Sequence, residues 1–279
     1  MKQKNFVLKG DICYSKTKQE LITKENHFLV CEDGRITGVF PELPKAYGNL
    51  PFHDCSGHLV IPGLVDLHVH APQYTFRGMG MDMELLDWLD TRTFPEETRY
   101  EDISYAEKAY RMFVGDLQRS ATTRACIFAT RHEEATVRLM ELLEEAGVCA
   151  YVGKVCMDRN SPDPLRELDA DTSANATKRW ISACQEKGFS RVKPILTPRF
   201  IPTCTDELME QLSEIQKQYQ LPMQSHLSEN IGEIAWVKEL CPWSESYGEA
   251  YEHFGLFGKE VPTIMAHCVH LRRKSGKKC

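Results

Sequence analysis

Over the first sixty residues, apolar positions come in short runs that alternate with polar ones: NFVLKGDICYS, HFLVCEDGRITGVF and GHLVIPG. A period of two puts every second side chain on one face of a strand. EDGR, lying between two such runs, is a turn signal. The pattern predicts a small β module over residues 1–60. From Ile61 it changes. Strand-length apolar runs (LVIPGLVDLHVH, TTRACIFAT, VCAYVGKVC, RVKPILTPRF, LPMQSHLSEN and VPTIMAHCVH) take turns with helical stretches. SYAEKAYRMFVGDLQRS, EEATVRLMELLEEAG and TDELMEQLSEIQKQYQ repeat their apolar residues at three and four. Gly147 and Gly188 stand just after a helix and just before a strand, as C-caps do.

Alternating strands and helices imply a parallel sheet covered by helices, an α/β fold. A (β/α)8 barrel over residues 61–270 is the first expectation, with about six βα units where a closed barrel has eight. It is therefore expected to be incomplete at the C-terminus. An open doubly wound sheet is second, because no GxGxxG follows a strand. Residues 271–279, LRRKSGKKC, fit neither a strand nor an amphipathic helix and read as a basic tail.

Composition narrows the function classes. The 279 residues are 42% hydrophobic with a formal net charge of −6, enough chain for a sizeable core and no basic face for a nucleic acid. No run approaches the ~18 apolar residues of a membrane span. The N-terminus lacks the apolar stretch of a secretory signal, so a cytoplasmic protein is expected. Eleven cysteines without a CxxC pair predict reduced, buried thiols. The same absence argues against a zinc held by paired cysteines and against deaminases that use PCxxC.

The chemistry lies at strand ends. His68 and His70 alternate at the end of the first strand, so both rings face one spot. His226 closes LPMQSHL and His267 closes PTIMAH. In a barrel, reactive groups come from the C-terminal ends of strands. A lone histidine is usually a satisfied core or surface residue, the reading for His27, His53, His58, His132, His253 and His270. Four at matching strand ends predict one zinc or iron ion held by neutral imidazoles. A bridging lysine would signal two metals; the fourth strand ends Thr197-Pro198-Arg199, with Lys193 at its start, so one ion per chain is expected. Glu229, three residues after His226, is either a carboxylate favoured by a helix N-terminus or a proton shuttle. Arg199 is either a rim salt bridge or a fork for a ring carbonyl and nitrogen. Phe200 can stack or pack, Gln73 can donate and accept, and Trp88 is core or pocket wall.

PGLVDLHVHAPQY resembles the first strand of the amidohydrolase superfamily. LLDWLDTRTFPEE, TTRACIFAT, YVGKVCMD, TPRF, QSHLSEN and TIMAH resemble its guanine deaminases, and the likeness runs from about Val60 to His270. The resemblance implies zinc-dependent hydrolysis of guanine to xanthine and ammonia. It implies a barrel beside a small β-sandwich, and a homodimer in full-length members. It makes His68, His70, His226 and His267 zinc ligands, Glu229 the proton shuttle, and Gln73, Arg199 and Phe200 guanine contacts. The family's eighth-strand aspartate has no match before Cys279. The companion expectation is a truncated, inactive remnant or isoform of that fold, and within enzymes the runner-up is another aminohydrolase of the superfamily.

Overall fold

A computed structural model describes residues 4–258 and 261–271, which form two compact units divided after Gly63. The expected tail at 271–279 lies, Leu271 apart, outside the described residues.

The first unit is one four-stranded sheet: β1 (Phe6–Ser15), β2 (Leu21–Glu32), β3 (Arg35–Phe40) and β4 (Phe52–Val60), in the order β3-β2-β1-β4. The EDGR signal is a tight hairpin, with Asp33 and Gly34 both at positive φ, as the twist of the flanking strands favours. β4 returns parallel to β1. Gly10 sits at the irregularity in β1, where a Cβ would lie 3.0 Å from the Cys55 carbonyl. Val7, Ile12, Leu29, Val30 and Cys31 are its buried apolar residues. The resemblance implies a sandwich, but among the described residues the unit is a single layer; a second layer takes strands that these four cannot supply.

In the second unit the strands are β5 (Leu64–His70), β6 (Thr122–Phe128), β7 (Cys149–Gly153), β8 (Val155–Cys156), β9 (Val192–Pro194), β10 (Thr197–Pro198), β11 (Met223–Leu227) and β12 (Thr263–His267). Every pairing is parallel. β7 and β8 are one strand path broken at Lys154, and β9 and β10 are one path broken at Ile195–Leu196. β6 lies between β5 and β7, β9 follows β7, β10 pairs with β8, and β11 pairs with β12. A bridge from Leu196 to Met223 joins the fourth path to the fifth. Six paths therefore follow one another in chain order, each beside the next, matching the six predicted runs.

The helices are α1 (Leu85–Trp88), α2 (Phe94–Thr98), α3 (Ile103–Arg119), α4 (Glu133–Ala146), α5 (Ala170–Lys187), α6 (Asp206–Tyr219), α7 (Ile231–Leu240) and α8 (Tyr247–His253). Side chains cap several: Asp102 accepts from the Ser104 and Tyr105 amides, and Thr205 from the Leu208 amide. Gly147 and Gly188 end α4 and α5 in the left-handed conformation, as predicted. Gly188 marks the end of α5 in the sequence, but the apolar pattern does not outline the helix itself. Its buried face is mostly Ala170, Ser173, Ala174, Ala176, Thr177 and Cys184, small residues that leave a weak apolar stripe. Among the described residues Cys31, Cys126, Cys156, Cys184, Cys204 and Cys241 are buried free thiols, whereas Cys13, Cys55, Cys149 and Cys268 are only partly buried, so the expectation of burial holds in part. Among the described residues no helix is long and apolar enough to cross a membrane.

Candidate active site

The ends of β5, β11 and β12 converge. The His68 ring centroid lies 5.0 Å from that of His70, 4.9 Å from that of His226 and 4.9 Å from that of His267. Ring nitrogens of His68, His226 and His267 all fall within 4.8 Å of one another. His70 is not one of these three, but its Nε2 lies 3.0 Å from His226 Nε2. The strand periodicity thus puts both β5 imidazoles on one spot, with two later strand ends across from them.

Several features bear on whether these rings suit a cation. His226 Nδ1 donates to the Arg199 carbonyl over 2.6 Å, which leaves Nε2 as the lone-pair nitrogen, pointing at His70. Nδ1 of His68 and of His70 is buried without a hydrogen-bond partner. Desolvation, reinforced by the neighbouring His267 and Arg199, pulls the His68 pKa down to about 4. Desolvation likewise holds His70 and His226 well below the usual range and lowers His267. All four are therefore neutral near pH 7, the state that binds metal. His267 has φ +68 and Cys268 +55, a left-handed conformation costly for residues with a Cβ. Backbone strain of this kind collects at ligand-holding sites. The rings fit a divalent ion such as zinc or iron.

The histidines open into a cavity of about 410 Å³ that is also lined by Gln73, Trp88, Arg199, Phe200 and Glu229. Every site residue singled out in the sequence reaches this one cavity. Arg199 is no rim residue: it is 2% exposed, and its Nη1 donates over 2.7 Å to Oε2 of Glu97, itself fully buried. Phe200 is buried too, meeting His226 edge-on at 6.4 Å and Trp236 at 6.3 Å. Trp88 donates its indole N–H to the Met79 carbonyl at 3.2 Å. Gly80, at φ +73, allows this approach, since a Cβ there would stand 2.9 Å from the Trp88 ring. Trp88 is thus a wall of the pocket as well as a packed residue.

Glu229 precedes the N-cap of α7, which is Asn230. One oxygen lies 3.3 Å from His267 Nε2. Burial, with the nearby Glu233 carboxyl adding to it, raises the Glu229 pKa to about 7. Glu233 is fully buried, accepts from the Glu229 and Asn230 amides and receives the Tyr247 hydroxyl at 2.7 Å. A carboxyl poised near 7 beside neutral histidines can take up and release protons.

Sequence reasoning assigned no role to Glu97, Glu233 or Phe128. Phe128, at the end of β6, stacks on His70 at 4.5 Å. Its strand-end position was the available signal. Glu97 lies in FPEE, where nothing local marks one carboxylate as buried.

Residues 59–278 match the amidohydrolase family. The chain is 47% identical over 218 residues to guanine deaminase of Dictyostelium discoideum, covering 78% of this chain and 48% of that protein. It is 42% identical over 277 residues to guanine deaminase of Mus musculus, covering 95% of this chain and 60% of the relative. The crystal structure of guanine deaminase from C. acetobutylicum, with guanine bound in its active site, superposes with a TM-score of 0.92 at 44% identity. That match covers 98% of this chain and 65% of the other. The chain spans about half the length of the curated relatives it matches. With parallel strands whose ends gather histidines, a buried arginine and a poised carboxyl around one cavity, and with this match along most of its length, the chain belongs to the amidohydrolase family.

Proposed function

We propose that this chain carries the active site for hydrolytic deamination of guanine to xanthine and ammonia, on a barrel of the (β/α)8 type. His68, His70, His226 and His267 would hold one zinc ion. Such an ion, when bound, would supply a water acidic enough to attack near neutral pH. The water oxygen bonds to the ring carbon bearing the amino group, the carbon–nitrogen bond breaks, and ammonia leaves. Glu229 takes the proton from the attacking water and delivers it to the departing nitrogen. Its pKa of about 7 suits both directions of transfer. Arg199 donates to the ring carbonyl, and Gln73, which can donate and accept, meets the polar ring edge. Phe200 and Trp88 bound the flat ring.

The observation that carries this reading is the convergence of these side chains on one cavity. The relatives named guanine deaminase support it, as does the related structure with guanine in its active site. The test is to purify the 279-residue chain free of host enzyme and measure zinc by elemental analysis. Guanine loss is then followed against xanthine appearance. About one zinc per chain with matched turnover is expected; zinc-loaded protein that leaves guanine intact overturns the assignment.

A further inference from the structure

We infer that Glu97 is the positioning residue for Arg199, and that the pair makes the cavity selective for a neutral ring carrying a carbonyl oxygen. The inference rests on the guanine reading above. Arg199 comes from the end of β10 and Glu97 from α2, about a hundred residues earlier in the chain. Their contact is a 2.7 Å bond between atoms of residues 2% and 0% exposed. Water cannot substitute for either partner at that depth, so each holds the other. The Phe94 ring centroid lies 5.1 Å from the guanidinium carbon. Phe94, Phe200 and Leu89 pack in one buried cluster, which ties α2 to the pocket wall. With Nη1 held by one bond to Glu97 Oε2, while Oε1 is buried without a partner, the other guanidinium N–H groups remain for the cavity that Arg199 lines. The carboxylate also offsets the positive charge. Arg199 therefore offers directed donors to a ring carbonyl without adding a net charge of its own, which suits a neutral purine carbonyl. Arg199 further supports the histidine cluster, because its backbone carbonyl accepts from His226 Nδ1. Glu97 thus lies behind the residue that connects the ring-binding cavity to the histidines.

The test uses two inert probes on the zinc-loaded chain: hypoxanthine, which has the carbonyl but no amino group to lose, and purine, which has neither. The parent should bind hypoxanthine better than purine. Glu97→Gln should weaken hypoxanthine by about tenfold or more while purine affinity stays within about threefold. Arg199→Gln should do the same. In the double variant the Glu97 change should add nothing, because it acts through Arg199. Unchanged hypoxanthine binding in Glu97→Gln, with a loss in Arg199→Gln, overturns the positioning role and leaves the guanine reading standing. A parent that does not distinguish the probes overturns the guanine reading, and this inference with it. Equal zinc content across the variants checks folding. If Glu97→Gln does not fold, Glu97→Asp carries the test, since it keeps the charge but withdraws it by one methylene. A reduced hypoxanthine-to-purine ratio is then expected, and an unchanged ratio overturns the inference.

Discussion

Strand β11 is buried at every residue from Met223 to Leu227, whereas β5 leaves Leu64, Val65 and Leu67 at 53%, 55% and 57% exposure. Both are parallel strands, and both carry candidate metal ligands at their C-terminal ends. β11 has the fourth strand path on one side and β12 on the other. Among the described residues β5 pairs only with β6. Apolar side chains are removed from water only where neighbours exist to cover them. The comparison separates two properties that share a strand: the end of β5 is committed to the histidine cluster, while its body is an open edge.

The largest effect should come from the histidines at the two strand ends. His226→Ala and His68→Ala should each lower zinc affinity on the order of 10²-fold or more and remove activity. His226→Ala should also destabilise the metal-free chain, because it removes the shorter of the two hydrogen bonds to the buried Arg199 carbonyl, leaving only Ser225 Oγ at 3.2 Å. His68, whose Nδ1 has no partner, leaves no such group behind. Unchanged zinc content in both variants would break the assignment of the cluster.

Glu229→Gln, just past the end of β11, should keep zinc and lose about 10²-fold or more in turnover, the scale of general acid–base catalysis. Loss of zinc with unchanged activity per bound ion would make Glu229 structural instead.

Leu227→Ala should cost about 2–5 kcal/mol in urea unfolding, as a cavity in a packed core does. Leu67→Ala should stay within about 0.5 kcal/mol. Similar losses at the two sites would show that the β5 edge is covered in solution.

Acid should act through the cluster. The folded pKa values of His68, His70, His226, His267 and His132 are depressed, so the unfolded chain binds protons that the folded chain refuses. Their contribution to stability is in place above the ordinary histidine pKa of 6.5 and is lost as pH falls toward about 4, the value for His68 and His132. Glu229, Glu233 and Asp158 are raised and work the other way as pH rises from their ordinary values. Five groups outweigh three, so the Tm of the metal-free chain should fall between pH 6.5 and 4.5. A flat profile would sink this account.

The smallest effect concerns the edge alone. Leu67→Lys should leave unfolding stability nearly unchanged and reduce self-association, since charge on an exposed edge opposes pairing with other chains. Sedimentation compares the two proteins, and greater association of the variant would contradict it.

The strands were legible because a period of two and runs of branched apolar residues are local properties of the chain. The left-handed glycines at 147 and 188 were legible for the same reason. Of α5 only the end was legible, because apart from Trp180 and Ile181 small residues face the core there and periodicity is read from large ones. The Glu97–Arg199 pair was invisible: a buried ion pair is set by two distant segments meeting, and each alone looks like an ordinary surface charge.

By itself the sequence determined the order of strands and helices and the strand ends where histidines stand, because alternation and turn chemistry act over a few residues. Only the tertiary structure decided that these ends meet over one cavity. It also decided that Arg199 turns inward onto Glu97, that Glu229 is desolvated enough to titrate near 7, and that β5 is exposed while β11 is not. Burial, charge compensation and proton affinity depend on what surrounds a group in space, and those surroundings come from residues far away along the chain.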